Sequence, residues 1–305
     1  MRVSSRRRFL VLSGAMLGNL AGCFSAPEGS ASGPTDTVSA TPTGGDTIQS
    51  EGPPTQKGNG NHLDFADSYE SEGHQVYLSD PFTRHALLYQ TSPDAVGVGQ
   101  NPGRQFFFVT VSAEGDQAAS LEPTDFAMEV GKSSFPGWRR YGNFEGGYGE
   151  FSGAAEEFGR PFGRNTSSGW LGFAVPVPIQ EDEPELVLDL PDGSVTWSLP
   201  PDLVATLSHL PPDWEVTDFS IAPGDSSPDP RTVSLTIYNR GEGEGSFPLG
   251  VNYSGSVHAY ETFRVTVPPL EKRTWSDPLT VGDRAPAFEV VTPVETFQGD
   301  PVETG

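Results

Sequence analysis

The stretch RQFFFVTVSA, residues 104–113, decides the fold class of this chain. Its aromatic and β-branched residues favour strands over helices. Its apolar side chains follow one another almost without a break, as expected of a strand in the interior of a sheet. The stretch therefore predicts the central strand of a β-rich fold.

The chain on both sides of this strand has a similar pattern. Short runs of β-branched and aromatic residues are separated by Gly, Pro, Asp and Asn, and helical periodicity is almost absent. In SVTWSL, Val195, Trp197 and Leu199 alternate with polar residues and mark one buried face. The runs in the first part of the chain lie at 74–79, 85–91, 104–113, 126–130, 170–178, 185–190 and 194–199. That number of strands fits one β-sandwich.

A second set of strands follows a proline-rich segment. LPPDLVATLSHLPPDW, residues 199–214, contains two Pro-Pro pairs. Because proline cannot donate to a strand ladder, this segment predicts a domain boundary. The later runs lie at 214–221, 232–239, 247–253, 261–267, 273–275 and 287–291. We predict one domain at 62–201, a smaller one at 202–292 and a disordered tail at 293–305.

Two resemblances assign these domains to fold families. VSLTIYNRGEGEGSFPLGVNY followed by ETFRVTVPPLEKRTW resembles the immunoglobulin-like CARDB class of archaea and bacteria, over residues 214–292. FFFVTVSA, PTDFAMEV and GWLGFAVPVP are similar to strands of telokin-like immunoglobulin folds, although the long segment 132–168 departs from that pattern. The expected fold class is all-β, with two immunoglobulin-like β-sandwich domains behind a disordered linker. Neither class carries a catalytic set, so the resemblance implies that the chain is not an enzyme.

The first 23 residues read as an export signal. SRRRFLVLSGAMLGNLAGC begins with arginines, and its apolar run of 13 residues is shorter than the roughly 20 that a spanning helix needs. Arg6, Arg7, Phe9 and Leu10 resemble the twin-arginine export motif. The LAGC that ends at Cys23 resembles a lipobox, which implies cleavage before this cysteine and a lipid on its thiol. The alternative is an uncleaved anchor helix with an incidental cysteine.

The segment behind this cysteine is expected to be a tether. Cys23 is the one cysteine of the chain, so no intramolecular disulfide is possible. Between residues 24 and 61, 23 of 38 residues are Ser, Thr, Gly or Pro, a composition that buries too little apolar surface to order itself. We predict a signal peptide at 1–22 and a lipidated cysteine with a disordered linker at 23–61. The lipid would hold the protein at the extracellular face of the cell membrane.

The charge of the chain excludes one class of partner. The formal net charge is −23, with 41 acids, and the leader that would be removed contains four arginines and no acid. The mature chain would therefore carry −27, and nucleic acid is not expected to bind it. Salt near 1 M shortens the screening length to about 3 Å and relieves such self-repulsion. Together with the export motif, this composition resembles a secreted protein of a halophilic archaeon, with an acidic bacterial lipoprotein as the alternative.

The sequence offers no strong sign of a metal, cofactor or catalytic site. No two of the five histidines are three or four residues apart, as metal ligands on one element often are. HLDFADSYESEGH, residues 62–74, groups acids and histidines, but solvated acids are the simpler interpretation in so acidic a chain. Nucleophile-elbow, zinc-protease and phosphate-loop motifs are absent from the sequence. We predict no metal and no cofactor.

The segment 134–165 is the strongest candidate for recognition, because aromatic residues and four arginines are interspersed with glycine there. Aromatic and Arg side chains dominate binding hot spots, and long loops commonly carry function. The candidate binding residues are Trp138, Arg139, Arg140, Tyr141 and Tyr148. The alternative is that these rings cap the open side of a sandwich.

Two sequons mark candidate N-glycosylation sites, Asn165 in a loop and Asn252 in a predicted strand, where the amide would have to point outward. Taken together, these features predict a lipid-anchored surface protein that acts as a binding or adhesion module or as part of a surface assembly. Its partners would be the membrane, through the lipid on Cys23, and a surface glycan or another surface protein. The alternative is an accessory lipoprotein of a transporter or extracellular enzyme system.

Overall fold

The computed structural model describes residues 62–299 apart from 72, 117, 145–148, 155, 157, 181–182, 223–230, 255–258 and 280–286. The described residues all belong to one compact unit. The predicted leader with Arg6, Arg7, Phe9 and Leu10, the lipidation site Cys23 and the linker up to residue 61 lie outside them. Within the described part, no helix is long and apolar enough to cross a bilayer.

The described chain is all-β apart from one short α-helix and two single 3₁₀ turns. Its elements in chain order are β1 (His62–Asp64), β2 (Tyr69–Ser71), β3 (His74–Arg84), β4 (Ala86–Ser92), β5 (Ala95–Gln100), β6 (Arg104–Glu114), β7 (Phe126–Val130), β8 (Ser133–Pro136), β9 (Ser168–Pro176), β10 (Glu185–Leu190), β11 (Gly193–Ser198), α1 (Pro201–Ser208), β12 (Trp214–Ala222), β13 (Arg231–Asn239), β14 (Gly245–Ser254), β15 (Ala259–Val267), β16 (Lys272–Leu279), β17 (Ala287–Val291) and β18 (Thr296–Gly299).

The first sandwich packs a five-stranded sheet, in the order β1-β11-β10-β7-β8, against a four-stranded sheet, in the order β2-β3-β6-β9. Its core is continuous and includes side chains such as Phe107, Val109, Phe126 and Trp197. Trp197, which is fully buried, donates its indole N–H to a backbone carbonyl, that of Asp67, at 3.1 Å. The predicted runs at 185–190 and 194–199 form the antiparallel pair β10–β11.

Strand β6 is the central strand that its sequence predicted. It lies between β3 and β9 and pairs antiparallel with both. Phe107 and Val109 point into the sandwich core, whereas Phe106 and Phe108 point to the opposite side of the sheet, where a second aromatic cluster covers them. Because both faces are buried, the strand needs no polar alternation, which explains its nearly continuous apolar run.

The β4–β5 hairpin forms a two-stranded sheet of its own rather than joining the first sandwich, as the run at 85–91 had been expected to do. Successive side chains of a strand point to opposite faces. Leu87 and Tyr89 pack into the aromatic cluster on the outer side of the first sandwich. Ala86 and Leu88 pack instead on the second sandwich. The hairpin therefore lies between the two sandwiches and contributes to both.

The proline-rich segment contains helix α1, which sequence patterning did not predict. Proline in the first turn is compatible with a helix because the first N–H groups have no intrahelical acceptor. Leu203 and Leu207 pack into the first core. Gln105, which is fully buried, donates its side-chain amide to the carbonyl of Leu207 at 2.8 Å. The helix thus belongs to the first sandwich, and the expected boundary between 201 and 202 falls inside it.

The second sandwich has seven strands and an immunoglobulin-like arrangement. A three-stranded sheet, β12-β13-β16, packs on a four-stranded sheet, β15-β14-β17-β18. Strand β13 alternates as its sequence predicted, with Val233, Leu235 and Ile237 fully buried. At the turn that follows, the buried amide of Asn239 donates to two carbonyls, those of Gly243 at 2.7 Å and Val267 at 3.1 Å.

The last strand differs from the expectation of a disordered tail at 293–305. Strand β18 pairs with β17 and completes the four-stranded sheet. Phe297 on β18 stacks on Phe219 of β12, with 4.5 Å between ring centroids. This aromatic contact and the strand pairing order residues 296–299. Residues 300–305 lie outside the described part.

Candidate functional site

The segment proposed for recognition turns its rings toward the protein. Tyr141, Phe144 and Phe151 are buried and pack on Phe106 and Phe108 of β6. We call the resulting cluster the aromatic layer, which comprises Leu87, Tyr89, Phe106, Phe108, Tyr141, Phe144, Phe151 and Trp170, with Phe82, Trp138, Phe158 and Ala174 packed against it. It covers the side of the β3-β6-β9 sheet that faces away from the first core.

Trp138 is half-buried in this layer and is fixed by its backbone. Its N–H donates to the carbonyl of Gly172 at 2.9 Å, and the N–H of Gly172 donates back at 3.0 Å. The indole lies directly on that glycine, because a Cβ there would come within 2.6 Å of the ring. The ring is also edge-on to Phe108, with 5.4 Å between centroids. These contacts are those of a side chain that caps a sheet.

The same segment closes the free edge of β9. Phe162 donates its N–H to the carbonyl of Trp170 at 2.8 Å, and Trp170 donates to that of Arg160 at 3.1 Å. With the pairing at Gly172, these bonds occupy an edge that would otherwise offer unpaired backbone groups. The segment therefore protects the sheet as well as covering it.

The four arginines of the segment are exposed. Arg139 and Arg140 are exposed, and Arg140 lies 3.7 Å from Glu150. Arg164 forms a separate ion pair, with 2.9 Å between its Nε and Oε1 of Glu122. The expected recognition surface, with exposed rings around Arg139 and Arg140, is thus not formed by Trp138 and Tyr141, which belong to the aromatic layer. Tyr148 lies outside the described residues.

The two sequons have different environments. Asn165 is exposed in a turn with φ of 68°. Asn252 is half-buried, and its side-chain amide is engaged: its oxygen accepts the N–H of Val96 at 2.8 Å, and its nitrogen donates to the carbonyl of Val96 at 2.9 Å. The outward amide that glycosylation of Asn252 requires is therefore absent. Its nitrogen is part of the contact between the hairpin and the second sandwich.

A cluster of ionic side chains lies where three segments meet, and the sequence had not singled it out. We call Arg84, His85, Glu156 and Arg264 the junction cluster. Arg84 ends β3 and His85 lies between β3 and β4, whereas Glu156 lies in the long segment before β9 and Arg264 lies on β15 of the second sandwich. Glu156 and Arg264 form a short ion pair, and their side chains are only 3% and 19% exposed.

The junction cluster also binds the backbone of the hairpin. The Glu156 oxygen that accepts from Arg264 also accepts the N–H of Leu88 at 2.6 Å, and Arg264 donates to the carbonyl of Ala86 at 3.5 Å. One carboxylate thus connects the aromatic segment, the hairpin and the second sandwich. Because breaking such a buried pair leaves an uncompensated charge, the cluster should hold these segments together.

Burial shifts two pKa values in the cluster. The pKa of Arg84 is lowered to about 10, first by burial and then by the nearby positive charge of Arg264, although Glu156 opposes this. Burial lowers the pKa of His85 to about 4. His85 is therefore neutral at neutral pH. Its ring lies beside Trp214, with 6.5 Å between centroids.

Several polar atoms of this region have no hydrogen-bond partner in the described structure. They are buried, and they are Arg84 Nε, His85 Nδ1, Glu156 Oε2, Arg264 Nη1 and the indole nitrogen of Trp214. Buried polar groups are normally paired with protein or ordered water. Glu156 is one of 41 acids in an acidic chain, so nothing in its local sequence distinguished it.

Other clusters that could carry chemistry are not formed by the described residues. Among them, no group of three or more His, Cys, Asp and Glu side chains is placed to hold a metal ion. In the acid-rich segment 62–74, His62 contacts Ser198 at 2.8 Å and Glu185 at 3.6 Å, both on the first sandwich.

Comparisons with known proteins give no family. No protein-family model matches the sequence, and no curated protein matches it. An uncharacterized β-sandwich protein from Clostridium difficile 630 is similar over 48% of this chain and 98% of its own, with 6% identity and a TM-score of 0.28. Pullulanase type I from Bacillus subtilis strain 168 is similar over 70% of this chain and 24% of its own, with 9% identity and a TM-score of 0.18. Likenesses this weak carry no argument about function.

Proposed function

We propose that this protein is a lipid-anchored, extracellular surface module that binds or assembles rather than catalyses. The observation that carries the proposal is the order of parts along the chain: an arginine-led leader that ends at Cys23, a Ser/Thr/Gly/Pro-rich segment up to residue 61, and then an all-β head. That order is typical of a protein held at a membrane through a lipid and displayed on a tether.

The way the two sandwiches are joined supports a role in which this all-β part is displayed to a binding partner. The hairpin packs on both sandwiches, and its link to the second sandwich is polar as well as apolar. Gln90 donates to the hydroxyl of Tyr260 at 3.0 Å, and Gln100 donates to the carbonyl of Pro293 at 3.1 Å. With the Asn252–Val96 contact, these bonds favour a stiff unit, which suits a domain that must reach beyond a crowded surface.

The charge favours a particular environment for this role. A mature chain of −27 repels other polyanions in dilute buffer, and this repulsion is strongly screened in concentrated salt. We therefore propose a halophilic archaeal host, in which close contact with acidic surface glycans or proteins is electrostatically tolerable.

The anchor and the binding role can be tested with one variant. Cys23→Ser should move the protein from the membrane fraction to the medium or stall its maturation, whereas replacing Arg6 and Arg7 by Lys should block export. A Cys23→Ser protein that stays in the membrane fraction would exclude the lipid anchor.

The released Cys23→Ser protein then serves as a probe of binding. Added to intact cells in high salt and screened on a glycan array, it should bind a surface component without its lipid. If it binds neither cells nor glycans, the binding role fails and the accessory role for a transporter or enzyme system is favoured instead.

A further inference from the structure

We propose that the junction cluster is a binding site for one small monovalent anion, of the size of chloride, which Arg84 and Arg264 hold between the two sandwiches. The site depends on neither the lipid anchor nor a surface partner. It would make the junction of the two sandwiches sensitive to the kind of anion in solution, beyond the general effect of salt.

The charges of the cluster do not balance. Arg84 and Arg264 carry two positive charges, Glu156 carries one negative charge, and His85 is neutral at neutral pH because burial lowers its pKa to about 4. Among the described residues of the cluster, one positive charge is therefore left over. Arg84 is partly buried, and its guanidinium lies 4.7 Å from the centroid of the Phe82 ring. A buried charge without a counter-charge is very costly. One monovalent anion restores neutrality, whereas a divalent anion would overshoot it.

Unpaired hydrogen-bond donors also outnumber unpaired acceptors in this region, which again favours an anion. Arg84 Nε, Arg264 Nη1 and the Trp214 indole nitrogen can only donate, and each is buried without a partner in the described structure. Against them, Glu156 Oε2 is the cluster's one unpaired atom that can only accept. Water could satisfy some of these groups, but it would leave the extra positive charge in place.

The first test compares salts at one fixed, high ionic strength. We expect the thermal midpoint of the wild-type chain to be about 5 °C higher in potassium chloride than in potassium gluconate, whose anion is too large for an enclosed site. Arg84→Met should lose this difference while keeping the general rise with ionic strength. Arg140→Met is the matched control, because Arg140 is an exposed arginine that pairs with Glu150 among the described residues, and it should keep the difference.

The second test locates the anion and does not depend on any variant folding. In crystals of the wild-type chain soaked in bromide, the anomalous signal should show a peak in contact with both Arg84 and Arg264. Equal midpoints of the wild type in the two salts, or the absence of that peak, would overturn the proposal and assign the unpaired groups to water. A chloride-specific difference that survives in Arg84→Met would also overturn it.

Discussion

Asn252 on strand β14 satisfies both backbone groups of Val96 on the hairpin, with hydrogen bonds of 2.8 and 2.9 Å. Val96 is 1% exposed, so loss of the amide would leave its buried N–H and C=O without these hydrogen bonds. Asn252→Ala should therefore lower the free energy of unfolding by about 2 kcal/mol. The measurement is urea unfolding followed by tryptophan fluorescence.

The matched control is the other sequon asparagine. Asn165→Gly removes an exposed side chain at a φ of 68°, which glycine tolerates, so stability should change by no more than about 0.5 kcal/mol. If the two variants are equally stable, the Asn252–Val96 contact does not join the hairpin to the second sandwich.

Glu156→Gln should be much more harmful than loss of a surface acid. It removes the negative charge that compensates Arg264 at a buried site, so we expect the free energy of unfolding to fall by about 3–5 kcal/mol. The control is Glu150→Gln, whose partner Arg140 is exposed and whose loss should cost less than about 1 kcal/mol. A double-mutant cycle with Arg264→Met measures the coupling, and additive effects would mean that the pair contributes no interaction energy of its own.

Trp138→Ala distinguishes capping from recognition. Its indole packs on Gly172 and edge-on to Phe108, so we expect a loss of about 3–5 kcal/mol in unfolding free energy. Arg139→Ala, next in sequence but exposed, should leave stability nearly unchanged. A Trp138→Ala protein of normal stability that binds intact cells more weakly would instead restore this segment as a recognition surface.

His85 should make the head sensitive to mild acid. Its folded pKa of about 4 lies below the unfolded value of about 6.5. The unfolded chain therefore binds more protons between these values, so stability is complete above pH 6.5 and is lost as pH falls toward 4.

When the pH falls from 7.5 to 5, the free energy of unfolding of the wild type should decrease by about 2 kcal/mol more than that of His85→Gln. His209→Gln, at an exposed histidine, should behave as the wild type does. Unfolding free energies at the two pH values check this, and equal pH dependence of all three proteins would mean that His85 is accessible to protons when folded.

Much of the strand pattern could be predicted because it is local. Strands β7, β10 and β17 begin and end at the residues predicted from sequence, 126–130, 185–190 and 287–291. Strand β5, AVGVGQ, was missed because Gly97 and Gly99 resemble a loop. Both positions lack room for a side chain, since a Cβ would come within 2.8 Å of Tyr89 and 2.3 Å of Phe144, respectively.

The junction cluster and the role of the hairpin could not be predicted, because both depend on contacts between distant parts of the chain. Glu156 and Arg264 are 108 residues apart, and neither has a distinctive local sequence. The aromatic segment was recognised as unusual, but composition alone does not tell whether rings face the solvent or a sheet. Its capping role follows from the outer face of β6, where Phe106 and Phe108 need cover.

The intact mass of the protein purified from cell membranes tests the proposed lipid-anchored role most directly. Cleavage before Cys23 leaves 283 of the 305 residues. We expect the mass of this shorter chain plus a lipid, with the lipid on the peptide that begins at Cys23. A membrane-bound protein with the mass of the full 305-residue chain, or a mature chain without lipid on Cys23, would contradict the anchor.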